Sequence, residues 1–155
     1  MLMRGVLIAL LLGTVSASAV EDRFPRVADA YIVKRDGRVL WAAGEHERHA
    51  PASLTKMMTA LLVVERRDPH ERVKISARAR HTQGSAVGVL PKHRKVQLEA
   101  LLNGLLLVSG NDAAVALAQH TGGSVPGFVR MMNERARQLG LSCTHYTSPH
   151  GLQDA

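Results

Sequence analysis

The chain of 155 residues carries 20 Lys and Arg against 13 Asp and Glu, a formal net charge of +7. Its length suits one domain of about 100–150 residues, and 46% apolar with 21% charged residues excludes wholesale disorder. A single cysteine excludes a disulfide scaffold or a cysteine-built zinc site within one chain, and 3% aromatic residues disfavours a base-stacking surface for nucleic acid.

The positive charge is spread along the chain and alternates with acidic residues, as between Arg66-Arg67 and Glu71. This distribution is typical of a solvated surface and disfavours nucleic acid as a partner. Weak attraction to an anionic wall polymer stays open as the alternative.

The first 19 residues have the pattern of a secretory signal peptide. Arg4 precedes an apolar run over residues 6–12, and Ala17-Ser18-Ala19 has the small-x-small pattern of a cleavage site. A membrane anchor is disfavoured, because crossing a bilayer takes about 20 apolar residues. The pattern predicts a signal peptide over residues 1–19, export of the chain, and a mature chain that starts at Val20 without a transmembrane anchor.

The mature chain begins with strands and continues with helices. Residues 30–34 and 38–42 are β-prone, and Asp36-Gly37 between them is a strong hairpin signal. Residues 53–67 predict a helix whose middle is apolar nearly all round, which indicates a helix buried in the centre of the domain. Residues 72–75 predict a short strand within a polar, loop-like region over 71–96. Further helices are predicted over 97–108, 112–120 and 125–139, which gives an α+β fold.

The first candidate catalytic pair lies at the start of the predicted central helix. Ser53 and Lys56 are three residues apart, so they share one helix face and the amine can meet the hydroxyl. Burial lowers the pKa of a lysine, and a neutral lysine can take the proton of a serine nucleophile. The alternative is an ordinary N-cap serine with a solvated lysine.

The second candidate is Ser109-Gly110-Asn111, which interrupts two apolar helical segments. A hydroxyl and an amide two residues apart in a tight turn can relay a proton and bind a substrate amide. The alternative is a polar helix break that caps the next helix. The two motifs together are more specific than either one.

At this point the sequence resembles the low-molecular-mass penicillin-binding proteins that are D-alanyl-D-alanine carboxypeptidases, a serine peptidase family of the DD-peptidase and β-lactamase-like superfamily. The segments that carry the resemblance are PASLTKMMTA (51–60), GS (84–85), LLLVSGNDAA (105–114), MMN (131–133), LG (139–140) and SPHGL (148–152). Their order and spacing cover nearly all of residues 28–155. The resemblance implies the N-terminal portion of a DD-peptidase/β-lactamase-like fold, a helical cluster beside an incomplete antiparallel sheet.

The resemblance also implies an activity: removal of the terminal D-alanine from peptidoglycan stem pentapeptides through a penicillin-sensitive acyl-enzyme. Carried over by position, Ser53 is the nucleophile, Lys56 the general base, Ser109 the proton relay, and Asn111 a substrate-binding residue. The expected partners are the pentapeptide and β-lactam antibiotics. The resemblance implies no cofactor and no metal, and His46-Glu47-Arg48-His49 lacks the spacing of a zinc-binding His-Glu-x-x-His.

The family's third motif, a Lys-Thr-Gly or similar sequence on a strand facing the nucleophile, has no counterpart after Ser109. His120-Thr121-Gly122 comes too soon and is interpreted as a helix end. We therefore expect residues 20–155 to form a truncated carboxypeptidase catalytic domain with weak or no turnover. A class A-like β-lactamase, a catalytically dead wall-binding fragment and a basic helical protein with accidental motifs stay open as alternatives.

Overall fold

The computed structural model describes residues 21–22 and 28–152, and the chain divides into two compact units, Met1–His49 and Ala50–Ala155. The signal peptide predicted over residues 1–19 lies outside the described residues. The elements are β1 (Tyr31–Arg35), β2 (Arg38–Ala43), a 3₁₀ turn (Ala52–Leu54), α1 (Thr55–Val64), β3 (Arg72–Lys74), α2 (Ala77–Arg80), β4 (Lys95–Gln97), α3 (Leu98–Leu107), α4 (Asn111–Gly122) and α5 (Val125–Gln138). The α+β prediction is confirmed.

The first unit contains the predicted hairpin. β1 and β2 pair antiparallel, with Arg35 opposite Arg38 and a register shift after Val33. Asp36 and Gly37 both have positive φ, 51° and 76°, as the turn of a right-twisted two-residue hairpin requires. The Asp-Gly signal therefore predicted the hairpin and the position of its turn.

The centre of the second unit is α4. Residues 111–118 of this helix are all buried, and it contacts α1, α2, α3 and α5. Four alanines among them, Ala113, Ala114, Ala116 and Ala118, let neighbouring helices approach from several sides. Gly123 in the left-handed conformation ends the helix, in agreement with the predicted end at His120-Thr121-Gly122.

The prediction that the first helix lies at the centre of the domain is wrong in part. α1 buries Met58, Leu62 and Val63, but Met57 is 65% exposed and Val64 is exposed as well. Among the described residues, α1 packs against α3, α4 and α5 along one side only. Apolar content all round the helix therefore does not produce burial all round it.

The other elements complete the packing around α4. α3 buries Leu98, Leu101 and Leu105 at helical spacing. α5 begins at the N-cap Ser124, whose Oγ accepts the Gly127 N–H at 3.0 Å. α5 buries an apolar stripe consisting of Val125, Phe128, Met132 and Ala136.

β3 pairs antiparallel with β4 in a second two-stranded sheet, so the predicted strand near 72–75 is confirmed. α2 and β4 were not predicted, because four and three residues are too few to establish a periodicity. No helix in the described ranges 21–22 and 28–152 is both long and apolar enough to cross a bilayer.

Candidate active site

Ser53 lies in a tight turn that leads into α1. The 3₁₀ turn is closed by the Leu54 N–H donating to the Pro51 carbonyl at 2.9 Å. Ala52, directly before Ser53, has a φ of +44°, a conformation that costs a non-glycine residue about 1–3 kcal/mol and occurs most often at functional sites. The turn leaves Ser53 exposed at the N-terminal end of a helix, where backbone N–H groups have no intrahelical acceptor.

Lys56 is one helical turn further and is only 2% exposed. Its Nζ donates to Ser53 Oγ at 3.2 Å and to the backbone carbonyl of His150 at 3.1 Å. Burial lowers the pKa of Lys56 from its ordinary value of 10.5, because the charged ammonium loses hydration. The alternative of a solvated first-turn lysine is therefore wrong.

Ser109 approaches Ser53 from the junction of α3 and α4. Its φ is +57°, and its Oγ donates to Ser53 Oγ at 2.9 Å across 56 residues of sequence. The Gly110 N–H donates to the Gly104 carbonyl at 3.0 Å and closes the loop behind it. Ser53 Oγ thus lies within hydrogen-bonding distance of both a buried lysine and a second serine, which is the arrangement of an activated nucleophile.

Asn111 is buried at the start of α4, but its side chain contacts a different segment. Its Nδ2 donates to the Gln83 carbonyl at 2.9 Å, and its backbone N–H donates to the Ser85 carbonyl at 2.7 Å. A Cβ on Gly84 would lie 2.5 Å from Asn111 Nδ2, so the loop and the amide are in close contact. The structure therefore brings Ser53, Lys56 and Ser109 together and joins Asn111 to the 83–85 loop beside them.

Asp112 holds the same region from the next position. Both of its carboxylate oxygens accept the Val87 N–H, at 3.0 and 3.1 Å, and Oδ1 also accepts the Ala113 N–H. Val87 in turn packs where a Cβ on Gly104 or Gly110 would lie. The loop that precedes β4 is thereby attached to the α3–α4 junction that carries Ser109.

A groove of about 400 Å³ opens at the two serines, a volume within the usual range of small-ligand sites. Its polar lining includes Ser53, Lys56 and Ser109, and its apolar lining includes Leu54, Met57 and Leu106. A substrate in this groove would contact a reactive hydroxyl beside apolar walls.

The turn at residues 148–151 belongs to the site, although sequence reasoning assigned it no role. Ser148, Pro149 and His150 are buried, and the His150 carbonyl is the second acceptor of Lys56 Nζ. A signal was available, because a buried lysine needs hydrogen-bond acceptors beyond one serine hydroxyl. The sequence could not show which carbonyl would serve, since every residue has one.

Comparison with known proteins agrees with this geometry. A family model described as D-alanyl-D-alanine carboxypeptidase matches residues 19–155. The D-alanyl-D-alanine carboxypeptidase DacF of Bacillus subtilis is 38% identical over an alignment that covers 81% of this chain and 33% of the relative. DacA of Haemophilus influenzae is also 38% identical, with 92% of this chain and 40% of the relative covered.

Solved structures show the same likeness. The D-alanyl-D-alanine carboxypeptidase DacD from Francisella tularensis superposes with a TM-score of 0.78 and 30% identity, covering 99% of this chain and 36% of that one. Penicillin binding protein 5 from Haemophilus influenzae superposes with a TM-score of 0.74 and 38% identity, covering 82% and 40%. The chain therefore shares part of the fold of these enzymes and spans a third to two fifths of their length.

Proposed function

The chain belongs to the D-alanyl-D-alanine carboxypeptidase family, and from that membership we propose that it acts as a serine peptidase on peptidoglycan stem pentapeptides, with Ser53 as its nucleophile. One observation carries the proposal: Lys56 Nζ and Ser109 Oγ both meet Ser53 Oγ, at 3.2 and 2.9 Å. Two polar side chains, one from α1 and one from the α3–α4 junction, converge on one exposed hydroxyl that lines a groove.

In the proposed acylation step, neutral Lys56 takes the proton of Ser53 while Ser53 Oγ bonds to the carbonyl carbon between the two D-alanines. The lowered pKa of Lys56 favours this step, because a larger fraction of the amine is neutral near physiological pH. The negative charge that develops on the carbonyl oxygen can be stabilised by the Ser53 backbone N–H in the first turn before α1.

Ser109 and Asn111 have the remaining proposed roles. Ser109 donates its hydroxyl proton to the nitrogen of the departing D-alanine as the peptide bond breaks, and it receives in exchange the proton that Lys56 took from Ser53. The 2.9 Å contact of Ser109 with Ser53 supports this relay. Asn111 binds the amide of the acyl chain, which requires its Nδ2 to give up the hydrogen bond to the Gln83 carbonyl. Water then hydrolyses the Ser53 ester, which releases the shortened peptide and restores the hydroxyl.

We propose that turnover by these 155 residues is weak. We also propose that residues 20–155 correspond to one part of the longer catalytic domain of the relatives. The chain spans 33–40% of the carboxypeptidases of B. subtilis and H. influenzae, and the Lys-Thr-Gly motif of the family has no counterpart after Ser109. The family resemblance implies that the strand with this motif supplies a second oxyanion-hole donor, and removal of one such donor costs about 10²–10³ in rate. Acylation by a reactive β-lactam should therefore be easier to detect than peptide hydrolysis.

The proposed location follows the proposed substrate. A signal peptide over residues 1–19 would deliver the chain to the periplasm or the extracytoplasmic wall space, where peptidoglycan and β-lactams are available.

A fluorescent penicillin tests the function directly. We expect one covalent adduct, which mass spectrometry of the digested protein assigns to Ser53. Ser53→Ala should lose the adduct completely, whereas Ser142→Ala, which removes an exposed hydroxyl far along the chain, should retain it. Absence of any adduct on the folded wild-type chain would contradict the proposal.

The lifetime of the adduct separates the carboxypeptidase from its alternatives. A long-lived penicilloyl adduct with slow D-alanine release supports the carboxypeptidase. Rapid nitrocefin turnover with recovery of free Ser53 would identify a β-lactamase instead. Retention on peptidoglycan without labelling or D-alanine release would identify a wall-binding fragment without catalysis.

A further inference from the structure

Three of the four residues in the turn at 148–151 are buried although no helix or strand contains them. Ser148 is 2% exposed, and Pro149 and His150 are buried beside it. Polar groups removed from water in this way need specific partners, because an unsatisfied buried donor or acceptor costs about 1–3 kcal/mol. The hydrogen-bond partners of this turn show which part of the site it contacts.

Two successive backbone carbonyls of the turn accept hydrogen bonds from α1. The Pro149 carbonyl accepts from Thr59 Oγ1 at 2.7 Å, and the His150 carbonyl accepts from Lys56 Nζ at 3.1 Å. Thr59 and Lys56 are three residues apart and lie on one face of the helix. The turn is therefore attached to α1 at two points, one of which is the amine of the site.

Side chains inside the turn maintain its shape. Ser148 Oγ donates to the Leu152 carbonyl at 3.0 Å and accepts the Gly151 N–H at 3.0 Å. His150 Nδ1 accepts the Leu152 N–H at 3.2 Å, which requires that this ring nitrogen carries no proton. The direction of the His150 carbonyl is thus set by a closed set of local hydrogen bonds.

Gly151 brings the turn into close contact with Ala52, the residue before the nucleophile. Its φ is +84°, and a Cβ built at this position would lie 1.8 Å from the Ala52 carbonyl oxygen and 2.8 Å from Thr55 Oγ1. Ala52 directly precedes Ser53. Only glycine permits both this φ and this close approach, so one residue sets the distance between the turn and the serine.

The contact between the His150 carbonyl and Lys56 can orient the amine for its work as a base. A neutral lysine amine has two N–H groups and one lone pair, and it acts as a base only when the lone pair faces the hydroxyl proton. The His150 carbonyl accepts an N–H in both protonation states of Lys56. Holding that N–H restricts rotation about the Cε–Nζ bond and leaves the lone pair free to face Ser53.

We propose that the 148–151 turn is the positioning element of the acylation step: the His150 carbonyl orients the Lys56 amine toward Ser53, and Gly151 sets the separation of the two. This inference rests on the proposed role of Lys56 as the base. Gly151 is a positioning residue, since it acts through the turn and touches no reacting atom.

The test compares two glycines that both have a positive φ, Gly151 at +84° and Gly140 at +73°. Gly151→Ala places a methyl group against the Ala52 carbonyl, whereas Gly140→Ala, at a φ of +73°, places it in open space after α5. We expect Gly151→Ala to slow penicillin acylation of Ser53 by about 100-fold, the cost of displacing a catalytic group by about 1 Å. Gly140→Ala should acylate at the wild-type rate.

A second measurement does not depend on activity. The pKa of the Lys56 amine, followed by NMR of its Cε and Nζ nuclei, should rise toward 10.5 in Gly151→Ala because water reaches the amine once the turn is displaced. It should stay at the wild-type value in Gly140→Ala. If the wild-type chain shows no acylation, the proposed function fails, and this titration still decides separately whether the turn holds the Lys56 amine away from water.

Ser148→Ala serves as the milder variant if Gly151→Ala does not fold. It removes the hydroxyl that joins Leu152 and Gly151 without adding atoms, and we expect slower acylation and a raised Lys56 pKa here too. Wild-type acylation and an unchanged Lys56 pKa in a folded Gly151→Ala or Ser148→Ala protein would overturn the proposal.

Discussion

Lys56 combines two properties that are costly together, burial and charge. At 2% exposure its ammonium has exchanged water for two hydrogen bonds, to Ser53 and to the His150 carbonyl. Neither acceptor carries a full negative charge, so the amine is solvated less well than in water. The same burial that costs stability makes the neutral, basic form more accessible.

Because burial disfavours the charged form of Lys56, we expect this single residue to make the stability of the folded chain depend on pH. The folded-state pKa of Lys56 is lowered below its ordinary 10.5, so between those two values the unfolded chain binds more protons at this residue than the folded chain. The contribution of Lys56 to stability therefore increases as the pH rises through that interval.

We expect the free energy of unfolding of the wild type, relative to Lys56→Met, to increase from pH 7 to pH 10. Urea denaturation at several pH values measures this difference, and its pH slope is independent of any constant offset caused by the lost hydrogen bonds. Parallel pH profiles for the two proteins would show that Lys56 titrates in the folded state as it does in the unfolded chain.

At the scale of elements, α1 has a buried side and an exposed side although both are apolar. Met58 is 5% exposed and packs in the core, whereas Met57, its neighbour, is 65% exposed and lines the groove. The pattern of hydrophobic residues cannot separate these two positions. The packing of α3, α4 and α5 decides which of them is buried.

The two methionines form a matched pair for a stability test. Met58→Ala leaves a cavity in the core and should lower the free energy of unfolding by about 2–5 kcal/mol. Met57→Ala removes an exposed side chain and should change it by less than about 0.5 kcal/mol. Chemical denaturation of both variants measures the difference, and equal losses would mean that Met57 is buried in solution.

At the scale of the whole molecule, hydrogen bonds to two carboxylates join elements that are distant in sequence. Glu65, after α1, accepts from Arg135 of α5 at 2.6 Å, and Glu71, before β3, lies 2.7 Å from His120 Nε2 of α4. The Arg135 hydrogen bond lowers the pKa of Glu65, and the His120 hydrogen bond lowers the pKa of Glu71. Both carboxylates are exposed enough for solvent to weaken these interactions.

Carboxyl groups with a lowered folded-state pKa contribute stability above their unfolded pKa and lose it as the pH falls through the folded value. We therefore expect the Tm of the wild type to fall between pH 5 and pH 3. Glu65→Gln should have a slightly lower Tm at pH 7 and a shallower decrease on acidification. Calorimetry at several pH values tests this, and an acid profile identical to that of the wild type would contradict it.

The exposed apolar surface is also a property of the whole molecule. Besides Met57, the side chains of Leu54, Leu106 and Leu107 are more than half exposed, and Leu107 reaches 82%. Exposed apolar side chains grouped in this way mark interaction sites or aggregation-prone regions. Three of them, Leu54, Met57 and Leu106, line the groove in a chain that spans 33–40% of the carboxypeptidases it resembles.

The sequence by itself determined the features that depend on near neighbours in the chain. Asp36-Gly37 specified the hairpin turn, because two positive φ values suit these residues. The three-residue spacing of Ser53 and Lys56 predicted that their side chains meet, although Ser53 lies in the turn before α1 and not in the helix itself. The polar Ser109-Gly110-Asn111 segment located the break between two apolar helices. These local features, together with the family resemblance, were enough to predict the α+β fold and three of the residues that meet at the site.

The tertiary structure alone decided the contacts between distant segments. It placed α4 at the centre, exposed one side of α1, turned the Asn111 amide toward the Gln83 carbonyl, and brought the His150 carbonyl to Lys56 across 94 residues. The physical reason is that backbone carbonyls are chemically alike at every position, so no residue type marks the one that a buried amine will use. Which carbonyl that is depends on close packing, here on the absence of a side chain at Gly151.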